Sequence, residues 1–260
     1  MKSRIIAFVD HEIGRRILEK IISIQGESDF FLVAVVTTQE NGQMWWPGVQ
    51  SLCEREGIPF FRYSEPFRES LNYVDIDWYF LISWKYIVPP ILFSHPANGA
   101  INLHYSLLPE YRGVYPVNWA IIEGKNTTGV TYHLVNSKID GGQIVFQKEV
   151  PINLSDTARS LQLRLDDFAF ELFDEVIQWA IHVSSTKDML KLEKSICGSY
   201  KSRLDFVETD ELDLNREYRA IDLFNLLRGK TFRPETKGLY VVDPETGKRI
   251  YVSINLAVDE

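Results

Sequence analysis

An asparagine and a histidine stand two residues apart in the segment Gly99-Ala-Ile-Asn-Leu-His-Tyr-Ser-Leu-Leu-Pro-Glu-Tyr-Arg-Gly113. In an extended strand, residues two apart share a face. Asn102 and His104 therefore project together, while Ile101 and Leu103 point the other way into a core. An amide donor can hold a developing oxyanion, and an imidazole can move protons near neutral pH. The strand gives way to a Pro-containing loop, Leu108 to Gly113. The end of a strand is where open α/β sheets keep their ligands.

A second element adds a carboxylate: Asn136-Ser-Lys-Ile-Asp140-Gly-Gly142. An Asp before two glycines is often only a turn. Here it lies between two strand-like runs, in a loop expected to reach the same sheet edge. A carboxylate beside the imidazole would orient it and favour its protonated form. Asn, His and Asp together suit acyl-type transfer to an amine. Asn102 supports the oxyanion, His104 carries the proton from the attacking amine to the leaving nitrogen, and Asp140 stabilises the imidazolium. Ser106 lies near His104 but lacks the Gly-x-Ser-x-Gly surroundings of an activated nucleophile.

Other chemistries have less support. The histidines at 11, 95, 104, 133 and 182 show no His-x-x-x-His spacing, so no metal site is expected. The first turn, Val9-Asp-His-Glu-Ile-Gly-Arg15, has one glycine and matches neither the dinucleotide fingerprint nor the P-loop. Such a turn can still present backbone N–H groups to a substrate, which makes His11 and Glu12 candidate substrate-binding residues.

The elements that would position these groups are legible from periodicity. Ile5–Val9, Phe30–Val36, Ile58–Phe61 and Trp78–Ser83 read as strands, with helices over Gly14–Ile22 and Val49–Glu56, the second closed by Gly57. Such alternation indicates βαβ units and a mostly parallel sheet. Val117–Glu123 reads as a helix, and Gly129–Val135 and Gln143–Gln147 as strands flanking the Asp140 loop. Leu161, Leu165, Phe168, Leu172, Val176 and Trp179 recur at intervals of three and four, which predicts one long amphipathic helix. Thr37–Gln43, Ser184–Asp188 and Glu208–Asp213 are polar. Glu217–Arg228 then reads as a helix, and Gly238–Val242 with Arg249–Ile254 as a β-hairpin. The expected organisation is a main domain over 1–190 and a small helix-plus-hairpin unit over 191–260. The hairpin is apolar enough to pair with a second chain, so a homodimer is expected.

Bulk composition narrows the partners. The chain has 260 residues, 45% hydrophobic and 25% charged, with a formal net charge of -8. An acidic chain makes a poor non-specific nucleic-acid binder. Cys53 and Cys197 lack metal-ligand spacing and read as reduced thiols of a cytoplasmic protein. The apolar run near the N-terminus is too short for a signal peptide, and no segment approaches the ~20 apolar residues a membrane span needs.

Taken in order, Asn102-Leu-His104, Ser106-Leu-Leu-Pro109, Tyr111-Arg-Gly113, Pro116-Val-Asn-Trp-Ala120, Thr128-Gly-Val-Thr131 and Ile139-Asp140-Gly-Gly resemble the formyltransferases that use N10-formyltetrahydrofolate. The resemblance implies a Rossmann-like parallel sheet and places the family's Asn, His and Asp on Asn102, His104 and Asp140. It also implies a folate cleft lined by two loops. One is Ser83–Val88, chiefly Tyr86, Ile87 and Val88; the other is Asn136, Ser137, Lys138, Ile139 and Asp140. Main-chain groups there would recognise the pterin, and Trp84 and Tyr86 can alternatively pack beneath the loop.

The tail from Tyr218 to Pro234, then Gly238-Leu-Tyr240, resembles the segment that follows the catalytic domain in sugar N-formyltransferases. The implied acceptor is the primary amine of a nucleotide-linked amino sugar, and the implied product serves surface polysaccharide such as lipopolysaccharide O-antigen. Tyr200, Lys201 and Arg203 are candidates for its diphosphate or base. Three departures stand out: Tyr105 where the family often has a small residue or Pro, Val114 where some members carry Arg, and Gly141 in place of a common Thr. Tyr105 is thereby a candidate to reshape the acceptor pocket. Transfer to another small amine, hydrolysis of formyltetrahydrofolate, and a non-catalytic ligand-binding module remain alternatives.

Overall fold

The computed structural model describes residues 2–26, 29–38, 48–63, 75–183, 198–232 and 238–258. Most of the polar loop after Thr37, the stretch 184–188 and Cys197 fall outside these residues. Seven strands form one sheet in the order β3-β2-β1-β4-β5-β7-β8. They are β1 (Ser3–Val9), β2 (Phe30–Thr37), β3 (Phe60–Arg62), β4 (Trp78–Ile82), β5 (Gly99–His104), β7 (Thr127–Leu134) and β8 (Ile144–Pro151). β1 runs parallel to β2 and β4, β2 to β3, and β4 to β5. The chain thus builds outward from β1 in one direction and then returns to its other side. The direction of growth switches between β1 and β4, and such a switch opens a crevice at the carboxyl ends of the strands.

Both central strands are buried along almost their whole length, as continuous apolar runs require. Ile5, Phe8, Trp78 and Phe80 are fully buried, each contributing roughly 1.5–3 kcal/mol of apolar transfer free energy. Helices α1 (His11–Ile24) and α2 (Val49–Glu56) follow β1 and β2. α1 buries Ile13, Ile17, Leu18 and Ile21. α2 ends at Gly57, whose φ of 66° is the left-handed cap that glycine adopts without a Cβ clash. A short helix α3 (Pro90–Phe93) begins where the Pro89-Pro90 pair sets the backbone.

Packing divides the chain into two units: 1–104, 132–146 and 169–195 form one, and 105–131, 147–168 and 196–260 the other. β7, β8 and the long helix α5 (Ala158–His182) each run through both. α5 has the predicted stripe. Leu161, Leu165, Leu172 and Val176 are buried, and Ala169, Phe173, Ile177 and Ala180 widen the buried face. Its start is closed by reciprocal bonds: Ser160 N–H donates to Thr157 Oγ1 at 3.3 Å, and Thr157 N–H to Ser160 Oγ at 3.0 Å.

The second unit also holds α4 (Pro116–Ile122), α6 (Arg203–Glu208) and α7 (Ala220–Lys230). The expected hairpin forms from β10 (Tyr240–Val242) and β11 (Arg249–Tyr251), paired antiparallel. A parallel pair that local sequence does not announce, β6 (Arg112–Gly113) with β9 (Tyr200–Lys201), ties the loop after β5 to the tail. In the same unit Thr131 Oγ1 donates to the Ser106 carbonyl at 2.6 Å and accepts from Gln147 Nε2 at 2.8 Å. Gln147 Nε2 also donates to the Leu108 carbonyl at 3.0 Å. These bonds fix the loop that leaves β5.

Candidate active site

β5 ends at His104, and strand alternation sets Asn102 and His104 on one face. The loop after β7 brings Asp140 to them. His104 Nδ1 lies 3.6 Å from Asp140 Oδ2, with the two side chains 7% and 13% exposed. Asn102 Nδ2 lies 3.5 Å from Asp140 Oδ1. The three residues singled out from spacing therefore form one cluster.

A fourth residue belongs to it. His133, on β7, has Nε2 3.5 Å from Asp140 Oδ1 and 3.1 Å from Asn102 Nδ2. Its Nδ1 lies 2.9 Å from the Leu134 carbonyl oxygen. A carbonyl only accepts, so Nδ1 carries a proton. Asn102 Nδ2 faces His133 Nε2, and it meets Asp140 only at 3.5 Å, at the outer limit of a hydrogen bond.

The loop that carries Asp140 is wound tightly. Asn136 Nδ2 donates to the Gly141 carbonyl at 3.0 Å, and Lys138 N–H donates to Asn136 Oδ1 at 2.9 Å. Gly141 N–H donates to the Lys138 carbonyl at 3.1 Å. Asp140 adopts φ 46°, a left-handed conformation that Asp and Asn tolerate best after glycine. A Cβ at Gly142 would overlap the Leu134 carbonyl oxygen, the acceptor that fixes His133. Ser137, Lys138 and Ile139 are exposed at the tip.

The other expected folate loop lies at the end of β4. Tyr86 and Ile87 are exposed, and Val88 is buried in the sheet core. Trp84 packs beneath the loop, edge-on to Phe8 at 5.3 Å and to Tyr63 at 5.2 Å. Tyr86 stacks on Tyr63 at 5.1 Å. Two buried polar atoms here have no hydrogen-bond partner among the described residues: Trp84 Nε1 in this loop and Gln143 Oε1 just after the Asp140 loop. One is a donor and one an acceptor. Leaving such a group without a partner costs about 1–3 kcal/mol.

His11 and Glu12 stand in the first turn of α1. The N–H groups there are not simply free for substrate: Asp10 caps the helix, its Oδ1 accepting from His11 N–H at 2.9 Å. His11 Nδ1 turns to Ser83, 3.0 Å from its Oγ.

The remaining candidates belong to the second unit. Tyr105 donates to Asp166 Oδ1 on α5 at 2.6 Å. Tyr200 is exposed, as is Arg203 at the start of α6. Lys201 Nζ is bound to Glu123 Oε1 at 2.5 Å and lies 4.2 Å from the centre of the Trp119 ring. Burial opposes ionisation of Glu123, but hydrogen bonds from Lys201 and Tyr111 hold its carboxyl below the usual carboxylate range. Among the described residues no group of His, Cys, Asp and Glu could hold a metal ion, and no helix is long and apolar enough to cross a membrane.

The formyltransferase resemblance implies an α/β sheet of this kind, and comparison with known proteins agrees on the family. The formyl transferase family model matches residues 49–177, and the N-formyltransferase dimerization C-terminal domain matches residues 205–258. Methionyl-tRNA formyltransferase of Thermodesulfovibrio yellowstonii is 30% identical over 244 residues, covering 88% of this chain and 74% of that protein. A sugar N-formyltransferase from Shewanella sp FDAARGOS_354 shares 21% identity, with 99% of both chains covered and a TM-score of 0.78. An N-formyltransferase from Helicobacter canadensis, solved with folinic acid and dTDP-3-aminofucose, shares 22% identity over 88% of this chain and 80% of that one, with a TM-score of 0.64. The chain belongs to the formyltransferase family.

Proposed function

We propose that the protein transfers the formyl group of N10-formyltetrahydrofolate to the primary amine of a nucleotide-linked amino sugar. The observation that carries the chemistry is the cluster of Asn102, His104 and Asp140 with His133 behind it. As the amine attacks the formyl carbon, the Asn102 amide donates to the oxyanion. His104 Nδ1 faces Asp140, so proton exchange with substrate passes through Nε2. The proton leaves the attacking amine and reaches the donor nitrogen as its bond to the formyl carbon breaks. Asp140 balances the charge on the imidazole meanwhile. Tyr86, Ile87 and Val88 with Asn136 to Asp140 line the donor's cleft in this reading. Trp84 Nε1 and Gln143 Oε1 supply unmatched partners for the pterin.

The acceptor assignment rests on charge and on the tail. A formal net charge of -8 disfavours a nucleic-acid partner, whose affinity comes largely from neutralised phosphates. In the second unit, Tyr200, Lys201 and Arg203 are proposed to contact the nucleotide, and Tyr105 to shape the acceptor pocket. Residues 1–190 are assigned the formyl chemistry, and 191–260 acceptor binding or dimerisation. The match to a dimerization domain over 205–258 supports a homodimer. A cytoplasmic location and a product destined for O-antigen follow from the same reading.

A panel of dTDP-, GDP- and UDP-linked amino sugars, with methionyl-tRNA and glycinamide ribonucleotide as competitors, tests the acceptor. Mass spectrometry is expected to find one CO added to a nucleotide sugar. Formylation of methionyl-tRNA alone would overturn the assignment.

A further inference from the structure

The crevice at the sheet's switch point, between the carboxyl ends of β1 and β4, is bridged by side chains of the protein itself. The buried Asp10 closes β1. Its Oδ2 is 2.9 Å from Lys85 Nζ and accepts from Thr38 Oγ1 at 3.0 Å. Lys85 Nζ also donates to Thr38 Oγ1 at 3.2 Å. The Asp10 side chain is 4% exposed and that of Lys85 44%. Beside this pair, His11 Nδ1 meets Ser83 Oγ at 3.0 Å. Both residues of that second contact hold left-handed backbones, with φ 58° at His11 and φ 54° at Ser83. Non-glycine residues stay there only when their surroundings over-determine them. Two strained residues facing each other across a switch point mark a junction held in one geometry.

What the junction holds is the loop Ser83–Val88. The aromatic stack of Trp84, Tyr86 and Tyr63 secures the loop through its rings. Asp10 and His11 secure it through Lys85 and Ser83. The same Asp10 carboxylate caps α1, so the helix N-terminus is occupied by the chain's own anion. We propose that Asp10 and Lys85 are positioning residues for the formyl donor: their ion pair holds the Ser83–Val88 loop in the shape that receives the folate. The proposal rests on the reading of that loop as part of the folate cleft. Lys85 can release into solvent when Asp10 is neutralised, so Asp10→Asn frees the loop without burying an unpaired charge, whereas Lys85→Met leaves the buried Asp10 carboxylate without its cation.

Asp10→Asn, Lys85→Met, their combination and Lys85→Arg separate positioning from simple stability. Asn caps helices as well as Asp, so Asp10→Asn removes the charge and keeps the cap. Two quantities are measured on the full chain: the dissociation constant of 5-formyltetrahydrofolate by calorimetry, and the thermal midpoint. Donor KM and kcat are then measured with the acceptor. Ordering a loop on binding costs free energy that a pre-formed loop avoids, so Asp10→Asn and Lys85→Met should each weaken folate binding about tenfold. Donor KM should rise in step while kcat changes little, and the thermal midpoint of Asp10→Asn should stay near wild type while that of Lys85→Met falls. The double variant should be no worse than either single one, and Lys85→Arg should bind nearly as wild type. Wild-type folate affinity in Asp10→Asn and Lys85→Met overturns the proposal, and so does a loss of affinity that only tracks a lowered thermal midpoint. Failure of the wild-type protein to bind the folate would instead overturn the reading of the cleft.

Discussion

Asn102→Ala and His104→Ala are each expected to lower turnover by about a hundredfold or more, the range for losing an oxyanion donor or a proton-transfer group. The two effects have different origins. Asn102→Ala removes the amide proposed to hold the oxyanion, together with its contacts to His133 Nε2 and Asp140 Oδ1. His104→Ala removes the proposed proton carrier but leaves Asn102, His133 and Asp140 in contact. The double variant should therefore lose less than the product of the single losses, because groups acting on one transition state are not additive. Turnover at saturating substrate is the quantity to compare, with a thermal melt to confirm folding. Near-wild-type turnover in both single variants would remove the catalytic assignment.

Asp140→Asn carries the second large effect, again about a hundredfold or more on turnover, with little change in donor KM. The structure makes this substitution unusually discriminating. Asp140 sits at φ 46°, where Asn is as acceptable as Asp, so the loop should keep its course. Its two oxygens serve different imidazoles, Oδ2 facing His104 Nδ1 and Oδ1 facing His133 Nε2. An amide of the same shape has no charge with which to stabilise the imidazolium. It must also present its –NH2 to one of the two rings. If Asp140 is only a turn residue, Asn serves equally well and the variant is silent. Unchanged turnover at wild-type stability would establish that simpler role.

Strand alternation alone placed Asn102 and His104 on one face, because a two-residue period is fixed by the pleat. The Asp140 loop was legible through Asp-Gly-Gly, and the need for glycine at 142 is now explained by the Leu134 carbonyl packed against it. The stripe of α5 was legible because helical periodicity survives over 25 residues. His133 was not. It lies in the apolar run Val130–Leu134, where a histidine reads as a core residue, and its partners come from another strand and a loop distant in sequence. Pairing of Arg112 with Tyr200 is equally non-local. Helix α6 carried a signal that went unread: Ser202 and Asp205 form a capping box. Without a buried residue on that helix, no apolar period accompanied it. At the start of α1, the turn suggested N–H groups open to substrate. Asp10 answers His11 N–H from within the chain, a local contact that residue types alone leave undecided.

The central claim is that this site moves a formyl group to an amine rather than to water. Release of tetrahydrofolate from N10-formyltetrahydrofolate, followed with and without the nucleotide-linked amino sugar, tests it most directly. The account predicts that release depends on the amine, saturates with it, matches the N-formyl sugar formed mole for mole, and collapses in His104→Ala. Release at the same rate without any amine, with no formylated sugar, would contradict it.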